Sequence, residues 1–108
     1  GGEVDVVVAD LSFISLTLVV PALIGVCRPG SELVLLVKPQ FEVGRRDVSK
    51  GKGIISDPEL HQAACDGVRE SCENAGATVN QIISSPITGA EGNKEFLLHA
   101  TVREKMSL

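Results

Sequence analysis

Three ionisable residues stand where chain direction could gather them. Asp10 directly follows the apolar run Val4–Ala9, Lys38 follows Leu33–Val37, and Glu95 directly precedes Phe96–Val102. An acid, an amine and a second acid on one edge make a candidate site for chemistry by ionisable groups. Taken singly, each has an ordinary explanation. An Asp after a strand caps or decorates a loop, a Lys at a strand end is solvated, and Glu95 sits in the polar run Asn93-Lys94-Glu95. Their joint position makes them a candidate set, and that position depends on the elements carrying them.

Val4–Ala9 is short, β-branched and too continuous for a half-exposed strand, so it reads as a strand covered on both faces. Leu11–Cys27 runs 17 residues without a charge, just short of the ~18–20 that span a bilayer. Its Ser12, Ser15, Thr17, Pro21 and Gly25 favour a buried helix entered through a loop, with Pro21 as a weak point or bend. Arg28-Pro29-Gly30-Ser31 is a turn, and Leu33–Val37 a second buried strand. Gln40–Gly53 has three glycines, a charge cluster and no apolar period. It reads as a loop, long enough to imply function or mobility. Asp57, Pro58 and Glu59 form a strong helix start. That helix runs to about Ala75 with Leu60, Ala64, Val68, Cys72 and Ala75 on one stripe, and Gly76 closes it.

Thr78–Ser84 and Phe96–Val102 are further strands. The stretch between them leaves no room for a crossover helix, so the last strand must run antiparallel to its predecessor. The order β-α-β-α-β-β, last strand reversed, predicts an α/β fold with an open sheet. Ligands of such sheets sit outside the carboxyl ends of the parallel strands. Asp10 and Lys38 follow such ends, and a reversed strand begins at the same edge, which brings Glu95 to the same rim.

Composition bounds the function. The chain has 108 residues, 44% of them hydrophobic, and 32 are Val, Leu or Ile. That supports one aliphatic core and rules out a disordered tail. Three Phe, with no Trp or Tyr, cannot tile an aromatic platform for a nucleic-acid strand. A net charge of −4 argues against a broadly basic nucleic-acid-coating surface but not against a local patch. Gln40–Gly53 holds Arg45, Arg46, Lys50 and Lys52 against Glu42 and Asp47, and reads either as solvated charge or as phosphate contact near the rim. Cys27, Cys65 and Cys72 form no CxxC pair and fit buried thiols in a reducing cytosol. His61 and His99 are far apart, so no metal site is expected. Neither a GxGxxG turn nor a Walker loop occurs. The chain opens on Gly1-Gly2-Glu3 directly before a strand, as if mid-sheet in a doubly wound domain.

The phrases Asp10-Leu11-Ser12-Phe13-Ile14-Ser15-Leu16, Val37-Lys38-Pro39-Gln40-Phe41-Glu42-Val43-Gly44 and Gly92-Asn93-Lys94-Glu95-Phe96, with Ser85-Pro86-Ile87-Thr88-Gly89 before the last strand, closely resemble the hemolysin A (TlyA) family of FtsJ-like ribosomal RNA 2′-O-methyltransferases. The resemblance covers almost the whole chain. It implies a class I, Rossmann-like methyltransferase fold that uses S-adenosylmethionine (SAM), with this chain as its carboxyl half. An S4-like RNA-binding domain, the glycine-rich SAM loop and the first member of a Lys-Asp-Lys-Glu tetrad are expected upstream. The other three members fall on Asp10, Lys38 and Glu95. The resemblance further implies ribosomal RNA or ribosomal subunits as substrate, a cytoplasmic location and no membrane association. Asp10, Leu11 and Phe13 are then candidates for contacting SAM, although Phe13 suits a core position equally well. Arg45, Arg46, Lys50 and Lys52 are candidates for contacting RNA.

Lys38 would either take the proton of the 2′-hydroxyl or stay charged and stabilise its oxygen. A free lysine titrates near ~10.4, so the first role needs a neighbouring cation such as the upstream Lys. Two other readings stand beside this one. A membrane-active protein is suggested by the name hemolysin, against which the chain shows no span, signal peptide or basic amphipathic helix. A non-catalytic Rossmann-like binding module is disfavoured by the Asp10, Lys38 and Glu95 set. As a half-sheet with an exposed apolar edge, the chain alone is expected to self-associate and to be inactive.

Overall fold

The computed structural model describes residues 5–10, 15–42, 57–86 and 93–104. In chain order they form β1 (Val6–Ala9), α1 (Leu16–Gly25), β2 (Glu32–Val37), the single turn α2 (Pro39–Glu42), α3 (Pro58–Ala75), β3 (Ala77–Ser84) and β4 (Phe96–Val102). The strands make one mixed sheet in the order β1-β2-β4-β3. β1 is parallel to β2, and β4 is antiparallel to both β2 and β3. The reversed strand therefore follows the predicted direction and wedges between its predecessor and β2.

Alternation along the strands sends one set of side chains to a single core. Leu33, Leu35 and Val37 of β2 and Leu98, Ala100 and Val102 of β4 are buried against Leu16, Val20 and Ile24 of α1 and Ala64, Val68 and Cys72 of α3. Each fully buried Val or Leu contributes about 1.5–3 kcal/mol. α3 has the termini its sequence predicts. The Asp57 carboxylate accepts from the Glu59 amide at 2.9 Å, Pro58 takes the first helical position, and Gly76 ends the helix at φ 114°, a left-handed geometry that glycine adopts without strain. The Arg103 guanidinium donates to the Ala77 and Glu73 carbonyls at 2.5 and 2.6 Å, satisfying an acceptor in the last turn of α3. At the opposite edge, Arg28 grips Asp5 with two hydrogen bonds of 2.9 and 3.0 Å and holds that carboxyl below its usual range. The start of β1 is thus pinned to the turn before β2.

Three expectations need correction. β1 is not covered on both faces: Val6 and Val8 are 65% and 70% exposed, because the longer described helices pack on the other side of the sheet. α1 is helical around Pro21 but not buried all round. Leu16, Val20 and Ile24 face the core while Leu18 is 72% exposed, the one-sided pattern of a helix lying on a sheet. The segment read as a loop from Gln40 begins with α2, since Pro39 pre-sets the first helical φ. The remainder, 43–53, lies outside the described residues.

Candidate active site

The parallel pair ends with Ala9 opposite Leu35, so Asp10 leaves the sheet beside the last turn of β2. Lys38 Nζ forms an ion pair with Asp10 Oδ1. The two partners differ in setting. The Lys38 side chain is 11% exposed and that of Asp10 61%, so the amine is held inside and the carboxylate opens outward. On the other flank, the β2–β4 register runs to Val37 opposite Phe96. One step further along each strand stand Lys38 and Glu95. Glu95 is buried, only 6% exposed, unlike the exposed strand residue its polar neighbours suggest. Its carbonyl accepts from the Ser85 amide at 2.8 Å, which fixes the entry to β4. The rim therefore holds Asp10, Lys38 and Glu95 in that order across adjacent strands.

Three residues of the turn after Lys38, none singled out by the sequence reading, hold this arrangement together. The Phe41 amide donates to the Lys38 carbonyl at 2.9 Å, turning the chain back over the strand end. That turn brings the Glu42 carboxylate to the start of α1, where it accepts from the Ser15 hydroxyl at 2.5 Å and the Leu16 amide at 2.7 Å. Ser15 is itself the cap of α1, accepting from the Thr17 amide at 3.1 Å. Glu42 thus joins the segment after Lys38 to the segment after Asp10. Gln40 Nε2 lies 3.5 Å from Glu95 Oε2, reaching from the same turn to the third member of the set. Pro39 at a helix start and Ser15 before an apolar run are the signals that could have pointed to this clamp.

Leu11, Phe13, Arg45, Arg46, Lys50 and Lys52 lie outside the described residues. Among the described residues, no group of three His, Cys, Asp or Glu side chains could hold a metal ion. All three cysteines are buried free thiols.

The model of the FtsJ-like methyltransferase family matches residues 1–102. The chain belongs to the FtsJ-like methyltransferase family. Use of SAM is general to that family. The chain is 45% identical over 98 residues to the 16S/23S rRNA (cytidine-2′-O)-methyltransferase TlyA of Mycobacterium tuberculosis, covering 91% of itself and 36% of that protein. It is 43% identical over 96 residues to Hemolysin A of Brachyspira hyodysenteriae, covering 88% of itself and 39% of the relative. A crystal structure of a candidate hemolysin from Lactococcus lactis superposes with a TM-score of 0.85 at 41% identity, over 90% of this chain and 46% of the other. The chain spans 36–46% of the length of these relatives.

Proposed function

We propose that this chain is the carboxyl half of the catalytic domain of a SAM-dependent rRNA ribose 2′-O-methyltransferase. In this reading the glycine-rich SAM loop, a further catalytic Lys and an S4-like RNA-binding domain belong to sequence outside these 108 residues. The observation that carries it is the Lys38–Asp10 ion pair beside the buried Glu95, in a chain of methyltransferase ancestry. The relative named as a cytidine-2′-O rRNA methyltransferase supports the choice of ribose and of rRNA, and with it a cytoplasmic location.

When bound, SAM supplies an electrophilic methyl group on a sulfonium sulfur. The outward-facing Asp10 carboxylate suits the amine and hydroxyl donors of that molecule, and Leu11 and Phe13, close to it in the chain, are proposed to contact it too. The 2′-hydroxyl oxygen would displace the sulfonium sulfur as leaving group and its proton would pass to solvent water, while this chain's residues hold the oxygen in position. Holding oxygen and methyl in line can supply ~7–11 kcal/mol of the barrier. Lys38, ion-paired with Asp10, presents an ammonium that orients the oxygen and stabilises the charge growing on it. Glu95, buried at the entry to the neighbouring strand with Gln40 Nε2 3.5 Å from its carboxylate, would balance the charge of that ammonium.

Replacing Lys38 by Ala in the full-length enzyme should lower methyl transfer to rRNA by about 100- to 1,000-fold, measured with radiolabelled SAM. Near-normal turnover would remove Lys38 from the chemistry. Arg45 and Arg46 are proposed to neutralise RNA phosphates. Replacing both by Ala should weaken RNA binding and reduce the steepness of its salt dependence by about two phosphates' worth, and an unchanged salt titration would count against this. The name of the Brachyspira relative favours a second reading, action on membranes. No described helix is long and apolar enough to cross one, and dye release from liposomes at low protein concentration would favour that reading.

A further inference from the structure

The rim continues past Glu95. Phe96 enters β4 on the helix-covered face, against the first turns of α3. There a cavity of about 190 Å³ opens between Pro58, His61, Gln62, Cys65, Lys94 and Phe96. The His61 and Phe96 rings meet edge to face, with centroids 5.5 Å apart and planes inclined at 61°. Lys94 Nζ stands 5.7 Å from the centroid of the Phe96 ring. The lining carries one cation, two rings and no acid. None of these groups has a part in the methyl transfer described above.

Position decides which part of the reaction this cavity could serve. Along the sheet, Asp10 follows β1, Lys38 follows β2, and Glu95 directly precedes β4, which Phe96 opens. Lys38 and Glu95 therefore separate the cavity from the outward carboxylate of Asp10. A molecule spanning the rim would meet the methyl donor at Asp10, the reacting hydroxyl at Lys38 and the cavity beyond Glu95. What lies there is an extension of the substrate rather than of the cofactor.

We propose that this cavity receives the base of an unpaired nucleotide adjacent to the methylated one, with Lys94 against its phosphate. Single-stranded RNA is recognised chiefly by splayed bases stacked on Phe, Tyr, Trp or His side chains, joined by cationic contacts to the backbone. The cavity is below the ~300–1,000 Å³ of sites for drug-sized ligands and suits one planar ring. The three Phe of the chain cannot make a stacking tract, but a single subsite requires only one. The inference rests on the reading of the substrate as RNA.

The test uses the full-length protein and a single-stranded oligoribonucleotide carrying 2-aminopurine, followed by fluorescence and without turnover. The unaltered protein should bind it and quench the fluorophore. Phe96→Leu, which keeps an apolar side chain against the core, should abolish the quench and weaken binding by about 5- to 150-fold, the range that base–aromatic stacking commands. Phe96→Tyr should restore both. Lys94→Ala, at an exposed position that spares the fold, should weaken binding and lower the salt slope by about one. Unchanged affinity and quench in Phe96→Leu and Lys94→Ala would overturn the proposal, as would an oligoribonucleotide bound by the unaltered protein without quench. Methyl transfer by the unaltered protein is scored separately. Absence of transfer to rRNA would sink the methyltransferase reading, while binding and quench would still decide the subsite.

Discussion

Glu42 shows how one side chain can organise a site it does not enter. Its two oxygens accept from the Ser15 hydroxyl and the Leu16 amide, so a charged acceptor sits at the positive end of α1. Hydrogen bonds to charged groups contribute about 1.5–3 kcal/mol. Glu42→Ala should cost about that much stability in chemical denaturation. It should also reduce methyl transfer by up to about 100-fold, because small misplacements of reacting groups are expensive. Glu42→Gln, which keeps an acceptor, should recover much of both, and equal losses in the two variants would point to charge alone. Asp10, Lys38 and Glu95 were legible in sequence because strand ends and strand direction dictate their edge. Glu42 and Gln40 were not, because in sequence they open a polar, charged stretch whose partners lie 26 to 55 positions away.

At the scale of elements, α3 carries a built-in pH limit. Burial pushes the Cys65 and Cys72 thiols up to about 11, with the Asp66 carboxylate beside Cys65 and the Glu73 carboxylate beside Cys72 adding to the effect. In the unfolded chain the same thiols ionise near their ordinary value of 9.0. Between those values the folded state holds protons that the unfolded state has lost, so stability falls as pH rises. The contribution is complete below pH 9 and is lost through pH 11. Denaturation midpoints measured from pH 8 to 11 should therefore decline, and Cys65→Ala with Cys72→Ala should flatten the slope even if the double variant is less stable throughout. An equal slope in the double variant would assign the decline to other groups. The helix that carries these thiols was legible end to end, because Asp57, Pro58 and Gly76 are local signals that need no tertiary partner.

For the molecule as a whole, the uneven dressing of the sheet matters most. α1 and α3 cover one face. On the other, Val6 and Val8 are largely exposed and Ile83 is 45% exposed, while Val34, Leu36 and Leu97 are half-buried. A contiguous apolar face of this kind marks an interaction surface. The isolated 108-residue chain should self-associate in a concentration-dependent way by sedimentation equilibrium, and it should not bind SAM at micromolar concentration. Stoichiometric micromolar binding in a calorimetric titration would show that this half of the crevice suffices. A strictly monomeric chain at high concentration would show that the apolar face is tolerated in water.

What is local or directional was legible in the chain alone: four strands, two long helices and the caps of the second, the reversal of the last strand, and the gathering of Asp10, Lys38 and Glu95 on one rim. These follow from apolar runs, cap chemistry and the length of a connection, none of which depends on distant partners. Tertiary structure alone decided that β4 lies between β2 and β3, that β1 faces solvent on one side, that Glu95 is buried and that Glu42 reaches α1. An apolar run records that side chains leave water without recording which neighbour covers them. A carboxylate in a polar stretch records a charge without recording which amide it will meet. Both are settled only when elements far apart in the chain compete for the same space.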